Sequence, residues 1–249
     1  MADYNTIRTA QGQATRSAEI DEGLRAYMSK VYSLMAIAMT VTAVFAWGIS
    51  QLAVSPDGTL TALGAAIYTS PLRWVIMFAP LLVVFGFGAM LNRLSTSAAT
   101  MIFYGFAALI GLSVSWIFMV YTSASVVQTF LITAIAFAGL SLYGYTTKRD
   151  LSGMRTFLMM GLIGLIVAMV VNIFLQSSAM QFAISIIGVL LFSALTAYDT
   201  QNIKNTYLAM ANSNRDFLGK AAIMGALQLY LDFLNLFMFL LQFLGASRD

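Results

Sequence analysis

The 249-residue chain contains no histidine and no cysteine. That absence excludes zinc or haem ligation by those side chains, thiol chemistry, a Ser/His/Asp triad and disulfides. It says little about redox compartment, because a chain without cysteine is neutral on that question. Charge is equally scarce: only 9% of residues are Asp, Glu, Lys or Arg, against about 25% in a soluble domain. The net charge of +3 comes with no basic patch of the kind that binds nucleic acid, so its distribution matters more than its sum. What fills the chain instead is apolar, with 60% hydrophobic residues where about 45–50% is usual. The composition is that of an all-α, polytopic membrane protein.

Residues 1–25 are polar, mixed in charge and lack the apolar core of a signal peptide, so they read as a flexible, uncleaved cytosolic tail. The remainder, 26–249, reads as one transmembrane domain. Seven apolar segments follow, at about 27–53, 73–92, 98–121, 124–146, 156–176, 179–201 and 220–246, each near the ~20 residues a bilayer demands. Their connections are too short to fold separately. The polar stretch from Lys204 to Gly219, with Asn212-Ser213-Asn214-Arg215-Asp216 at its centre, reads as a solvated loop and a place for a partner. With the N-terminus inside, eleven of the 13 Lys and Arg fall on the inner side, and only Arg73 and Arg248 fall outside. The positive-inside rule therefore makes the N-terminus cytosolic, with the C-terminus outside unless the last segment is re-entrant.

Only two acids lie within the spans, Asp199 and Asp232. A carboxylate near the centre of a membrane helix is disfavoured by roughly 2.5–3.5 kcal/mol on insertion scales, so it marks an ion or proton pathway. At ~1.5 Å per helical residue, Asp199 lies roughly 8 Å along its helix from Lys204 and Asp232 roughly 18 Å from Lys220, both nearer the inner face. Gln228, Asp232 and Asn235 recur at spacings of four and three, which puts a stripe of oxygen acceptors on one helical face, and Gln242 continues it outward. The plain reading of that stripe is interhelical hydrogen bonding; the functional one is a polar path through the core. If the two aspartates touch, repulsion and desolvation both favour a proton shared between them, and losing it pushes the helices apart or admits a cation. Oxygen ligands suit Ca²⁺, but two carboxylates and a few amides fall short of six to eight oxygens, which favours transit over storage. No resident cofactor is expected.

Arg93, at the inner end of the second span, is a topological anchor or, placed beside Asp199, a charge-assisted latch. Asn172 and Gln176 read as interhelical glue, Pro80 as a kink in the second span, and Trp47, Trp74 and Trp116 as outer interface anchors.

Three segments, 141–153, Leu195-Thr196-Ala197-Tyr198-Asp199-Thr200-Gln201 and Leu229-Tyr230-Leu231-Asp232-Phe233-Leu234-Asn235-Leu236-Phe237, resemble the Bax inhibitor family in its bacterial branch, with a match from about Leu24 to Gly245. The resemblance implies six helices around a central seventh, residence in the bacterial inner membrane, and a pH-sensitive calcium leak. It carries the family's aspartate pair onto Asp199 and Asp232 and its latch arginine onto Arg93. It does not carry over regulation by a Lys-rich tail, which Ala246-Ser247-Arg248-Asp249 lacks. The expectations to be compared are thus a leak gated by the pair, with weak Ca²⁺ at Asp199 and Asp232, and an interaction protein regulating a membrane protease or stress response. An enzymatic reading, with two carboxylates activating water, lacks the Gly-x-Gly and Pro-Ala-Leu segments of intramembrane aspartyl proteases, so no enzyme is expected.

Overall fold

The computed structural model describes the backbone of residues 2–211 and 214–248, and their side chains apart from those of 2–18, 92 and 215. Seven of its helices are long and apolar enough to cross a membrane. We number them α1 (Ala2–Ala53), α2 (Leu72–Met90), α3 (Thr96–Val114, resumed after a two-residue turn as Ile117–Val120), α4 (Ser123–Thr146), α5 (Arg155–Leu175), α6 (Ser178–Met210) and α7 (Arg215–Leu244). Each matches one expected span, because lipid offers no partner to backbone N–H and C=O groups and a helix satisfies them all internally. Local sequence sets several starts: the side chains of Ser95, Thr122 and Ser177 accept from the amides of Ala98, Ser125 and Met180 at the first turns of α3, α4 and α6.

The polar stretch expected as a tail is continuous in helical backbone with the first span from Ala2 onward, and Leu24 is already buried. The side chains of 2–18 lie outside the described residues. Helix α6 departs further from expectation, continuing past residue 201 to Met210. The polar residues that suggested an exit are satisfied by the neighbouring α4 end. Gln201 accepts from the Leu151 amide and donates to the Arg149 carbonyl, both at 2.8 Å, and Lys204 Nζ donates to the Tyr145 carbonyl at 2.8 Å. Beyond them Tyr207 packs on Tyr27, ring centroids 5.0 Å apart. The expected Lys204–Gly219 loop thus shrinks to the link between α6 and α7, of which residues 212 and 213 lie outside the described residues.

Helix α7 is the centre of the bundle. Two-thirds of its apolar stretch (67%) is buried, against at most 39% in any other spanning helix. It packs against α6, α1, α4 and α3. Fully buried Tyr230 donates to Thr42 Oγ1 at 2.7 Å, and Thr42 donates onward to the Ala107 carbonyl at 2.9 Å, tying α7 to α1 and α3. Two glycines permit close approach: a Cβ on Gly144 would strike the Ala197 carbonyl of α6, and one on Gly188 would fall 2.5 Å from the Phe239 ring of α7. Helix α7 is uninterrupted, and its end is held at the α3–α4 turn by Thr122 N–H to the Ala246 carbonyl and Arg248 N–H to the Val120 carbonyl, at 3.1 and 2.8 Å. The last segment is thus one continuous helix, long and apolar enough to cross a membrane, with no break of the kind a re-entrant segment has. By contrast α2 packs chiefly on α3 and α5 chiefly on α6, each leaving most of its surface for lipid. Pro80 lies buried inside α2 without ending it.

Candidate functional site

Helices α6 and α7 run antiparallel and side by side, and this pairing places the two intramembrane acids at nearly the same level. The carboxyl groups of Asp199 and Asp232 lie within hydrogen-bonding range of each other. Asp199 is half-buried, whereas Asp232 is 5% exposed and its Oδ2 has no hydrogen-bond partner among the described residues. The surrounding hydroxyls do not help it. Thr196 and Thr200 each donate back to a carbonyl one turn earlier in α6, at 2.7 and 2.8 Å, so their protons are spent on their own helix. Asn235 does the same in α7, its Nδ2 donating to the Leu231 carbonyl at 2.8 Å. The amide oxygen of Asn235 and its second N–H remain for other partners. An unpartnered buried carboxyl oxygen is an unusual feature that calls for a proton or a cation, and the donor-bearing side chains that share its cavity include Tyr198, Asn202, Gln228 and Arg155.

Both aspartates line a cavity of about 700 Å³ enclosed by α5, α6 and α7. Gln228, Asn235 and Gln242 line it too, so the acceptor stripe expected on α7 does face one interior space. At the far end a chain of amides joins three helices: Asn172 Nδ2 donates to Gln181 Oε1 at 3.1 Å, and Gln181 Nε2 donates to Gln242 Oε1 at 2.7 Å. Asn172 thus acts as the expected interhelical tie. Gln176 does not. It is exposed and ends α5 in a left-handed conformation with φ 48°.

Arg93 is not brought to the pair. It lies exposed in the turn Leu91–Arg93 that ends α2, outside the cavity, and makes no salt bridge among the described residues. The reason is the packing of α2 on α3, a different flank of α7 from the one α6 occupies. The cation that lines the cavity is Arg155, the first residue of α5. Sequence reasoning had no signal for it beyond topology, since an arginine at a helix start looks like any other flanking charge. No group of three or more acidic, His or Cys side chains that could hold a metal ion is assembled among the described residues. The two carboxylates and the Asn235 oxygen make a sparse oxygen set.

The carboxylates in the loops behave differently. Hydrogen bonds from the Ser152 amide and hydroxyl hold the Asp150 carboxyl below its ordinary pKa, and the Thr59 hydroxyl and amide do the same for Asp57.

Comparison with known proteins agrees with this architecture. An uncharacterized protein of Rickettsia prowazekii is 42% identical over 250 residues, covering 100% of both chains. The inner membrane protein YbhL of Escherichia coli K12 is 43% identical over 227 residues, covering 91% of this chain and 94% of YbhL. An uncharacterized protein of Deinococcus radiodurans is 40% identical over 243 residues, covering 98% and 100%. With seven apolar helices and an inner-membrane relative of nearly equal length, this is a multi-pass inner-membrane protein. The family model described as "Inhibitor of apoptosis-promoting Bax1" matches residues 24–249, and the chain belongs to that family, the Bax inhibitor family.

Proposed function

We propose that the protein is a pH-sensitive leak for calcium or other cations, gated by a proton shared between Asp199 and Asp232, with its basic end facing the cytosol. The observation that carries this reading is the meeting of the two carboxyl groups beside one cavity of the bundle, with one oxygen of Asp232 buried and without a partner among the described residues. Two carboxyl groups in contact attract only while a proton bridges them. Without it, two like charges about 4 Å apart repel by roughly 4 kcal/mol at an effective dielectric constant near 20. That is enough to loosen α6 from α7 or to draw in a cation. Two carboxylates and a few amide oxygens spread along the cavity fall short of the six to eight oxygens of a storage site, so Ca²⁺ passes rather than stays. Arg93, held away on α2, acts in this reading as a positive-inside anchor, and a latch role demands that the end of α2 move toward α6.

Calcium flux into dye-loaded proteoliposomes, measured across a pH series, tests the reading. Wild-type flux is expected to change through the titration of the pair, and Asp199→Asn and Asp232→Asn to abolish that dependence. Unchanged flux and pH response in both variants would reject the mechanism. A second reading has one observation in its favour: the matched family is described as an inhibitor of another protein, Bax1. In that case a membrane protein partner, such as a protease, copurifies with the chain even after both carboxylates are replaced.

A further inference from the structure

We propose that the cavity between α5, α6 and α7 is a binding site for an amphiphile with a protonated amine head and an apolar tail, the ammonium donating to Asp232. The inference shares the carboxyl pair with the proposed leak but concerns a different ligand class. The cavity volume of about 700 Å³ lies within the roughly 300–1,000 Å³ of small-molecule sites. Its polar end carries two carboxyl groups side by side, Asp199 and Asp232, the Oδ2 of Asp232 having no partner among the described residues, with neutral Tyr198, Asn202, Gln228 and Asn235 lining the same space. The head group that such a pair favours brings N–H donors and positive charge, and the same pair repels carboxylates and phosphates.

The rest of the wall selects the tail. Leu158, Leu162, Leu165, Met169 and Met238 line the cavity, and a bare hydrated cation gains nothing from them. An alkyl chain does. The wall is also continuous with the lipid-facing surface, since cavity-lining Ile166 and Met169 are 47% and 37% exposed. A ligand dissolved in the bilayer therefore reaches the site sideways, past α5. Arg155, exposed at the start of α5, has the same sign of charge as the head and disfavours the route along its own rim.

Native mass spectrometry of the full chain in detergent, titrated with decylamine and with decanol as the matched neutral chain, tests this. One equivalent of decylamine is expected to bind saturably, at least tenfold more tightly than decanol. Asp232→Asn should lower decylamine to the decanol level, and Leu162→Trp, which fills the apolar wall, should weaken both. Thermal melting confirms that each variant is folded, and Asp199→Asn replaces Asp232→Asn should the latter not fold. Equal binding of amine and alcohol, or amine binding untouched by loss of the carboxylate, overturns the proposal. Flux that depends on the aspartates without amine binding overturns this inference alone; amine binding with flux indifferent to the aspartates overturns the leak instead.

Discussion

Replacing Asp232 with leucine exchanges a buried acid whose Oδ2 lacks a partner for an apolar side chain of similar reach, beside a cavity with room to receive it. An unsatisfied buried polar group costs about 1–3 kcal/mol, and more for a charge, and the substitution removes that cost along with the clash of two acids. It opens no void and takes nothing from Thr196 or Thr200, which donate within α6; the one contact it removes is the shared proton bridge to Asp199. At a pH where the pair has lost its shared proton, Asp232→Leu is therefore expected to stabilise the folded protein by about 2 kcal/mol. For a chain of this size that raises the melting temperature by roughly 4–8 °C. The gain should come with loss of pH-dependent flux, as expected where a site retains a locally unfavourable group for its function. Melting of the purified protein in detergent, followed by intrinsic fluorescence, is the assay. A lowered melting temperature at that pH would refute the reasoning, since it would mean that Asp232 makes a stabilising contact other than the proton shared with Asp199.

Gln176→Gly should also stabilise, by about 1 kcal/mol in the same melt, because the left-handed backbone at φ 48° is strained for a residue with a Cβ and free for glycine. The lowered pKa values of Asp57 and Asp150 fix their part in any pH response. Their hydrogen bonds favour the ionised form, so what they contribute is present above the ordinary carboxylate range near 4 and is lost only as pH falls through the lowered values. Asp57→Asn and Asp150→Asn should accordingly leave any transition between pH 5 and 8 in place, and a flux profile that moves in either variant contradicts the assignment to the pair. Because the chain has no cysteine, single replacements report orientation directly. Lys148→Cys should react with a membrane-impermeant maleimide only from the cytosolic side and Asp57→Cys only from the outer side, and the reverse pattern would invert the proposed topology.

The seven spans were legible because the requirement is one-dimensional: about 20 apolar residues with few charges, a pattern that needs no knowledge of neighbours. The end of α6 was not. Gln201 and Lys204 look like residues leaving the membrane, yet Lys204 finds a carbonyl partner in the last turn of α4 and Gln201 one in the link just after it, and such partners are visible only once two distant segments are placed side by side. Arg93 and Arg155 show the same limit from the other direction. Both flank apolar runs, and the choice between them as neighbour of the acidic cavity depends on which helix packs beside α6.

The amino-acid sequence by itself determined that this is a polytopic α-helical protein, where its helices cross, and that two acids stand inside the bilayer at levels that can meet. Tertiary structure alone decided that α7 is enclosed, that Oδ2 of Asp232 has no partner among the described residues, that the amide stripe of α7 faces one cavity, and that Arg93 is held apart from it. The physical reason is that lipid is as apolar as a leucine-rich helix face, so hydropathy cannot distinguish a surface meeting lipid from one meeting protein. That distinction is made by close approach at residues such as Gly144 and Gly188 and by the few hydrogen bonds that join one helix to the next.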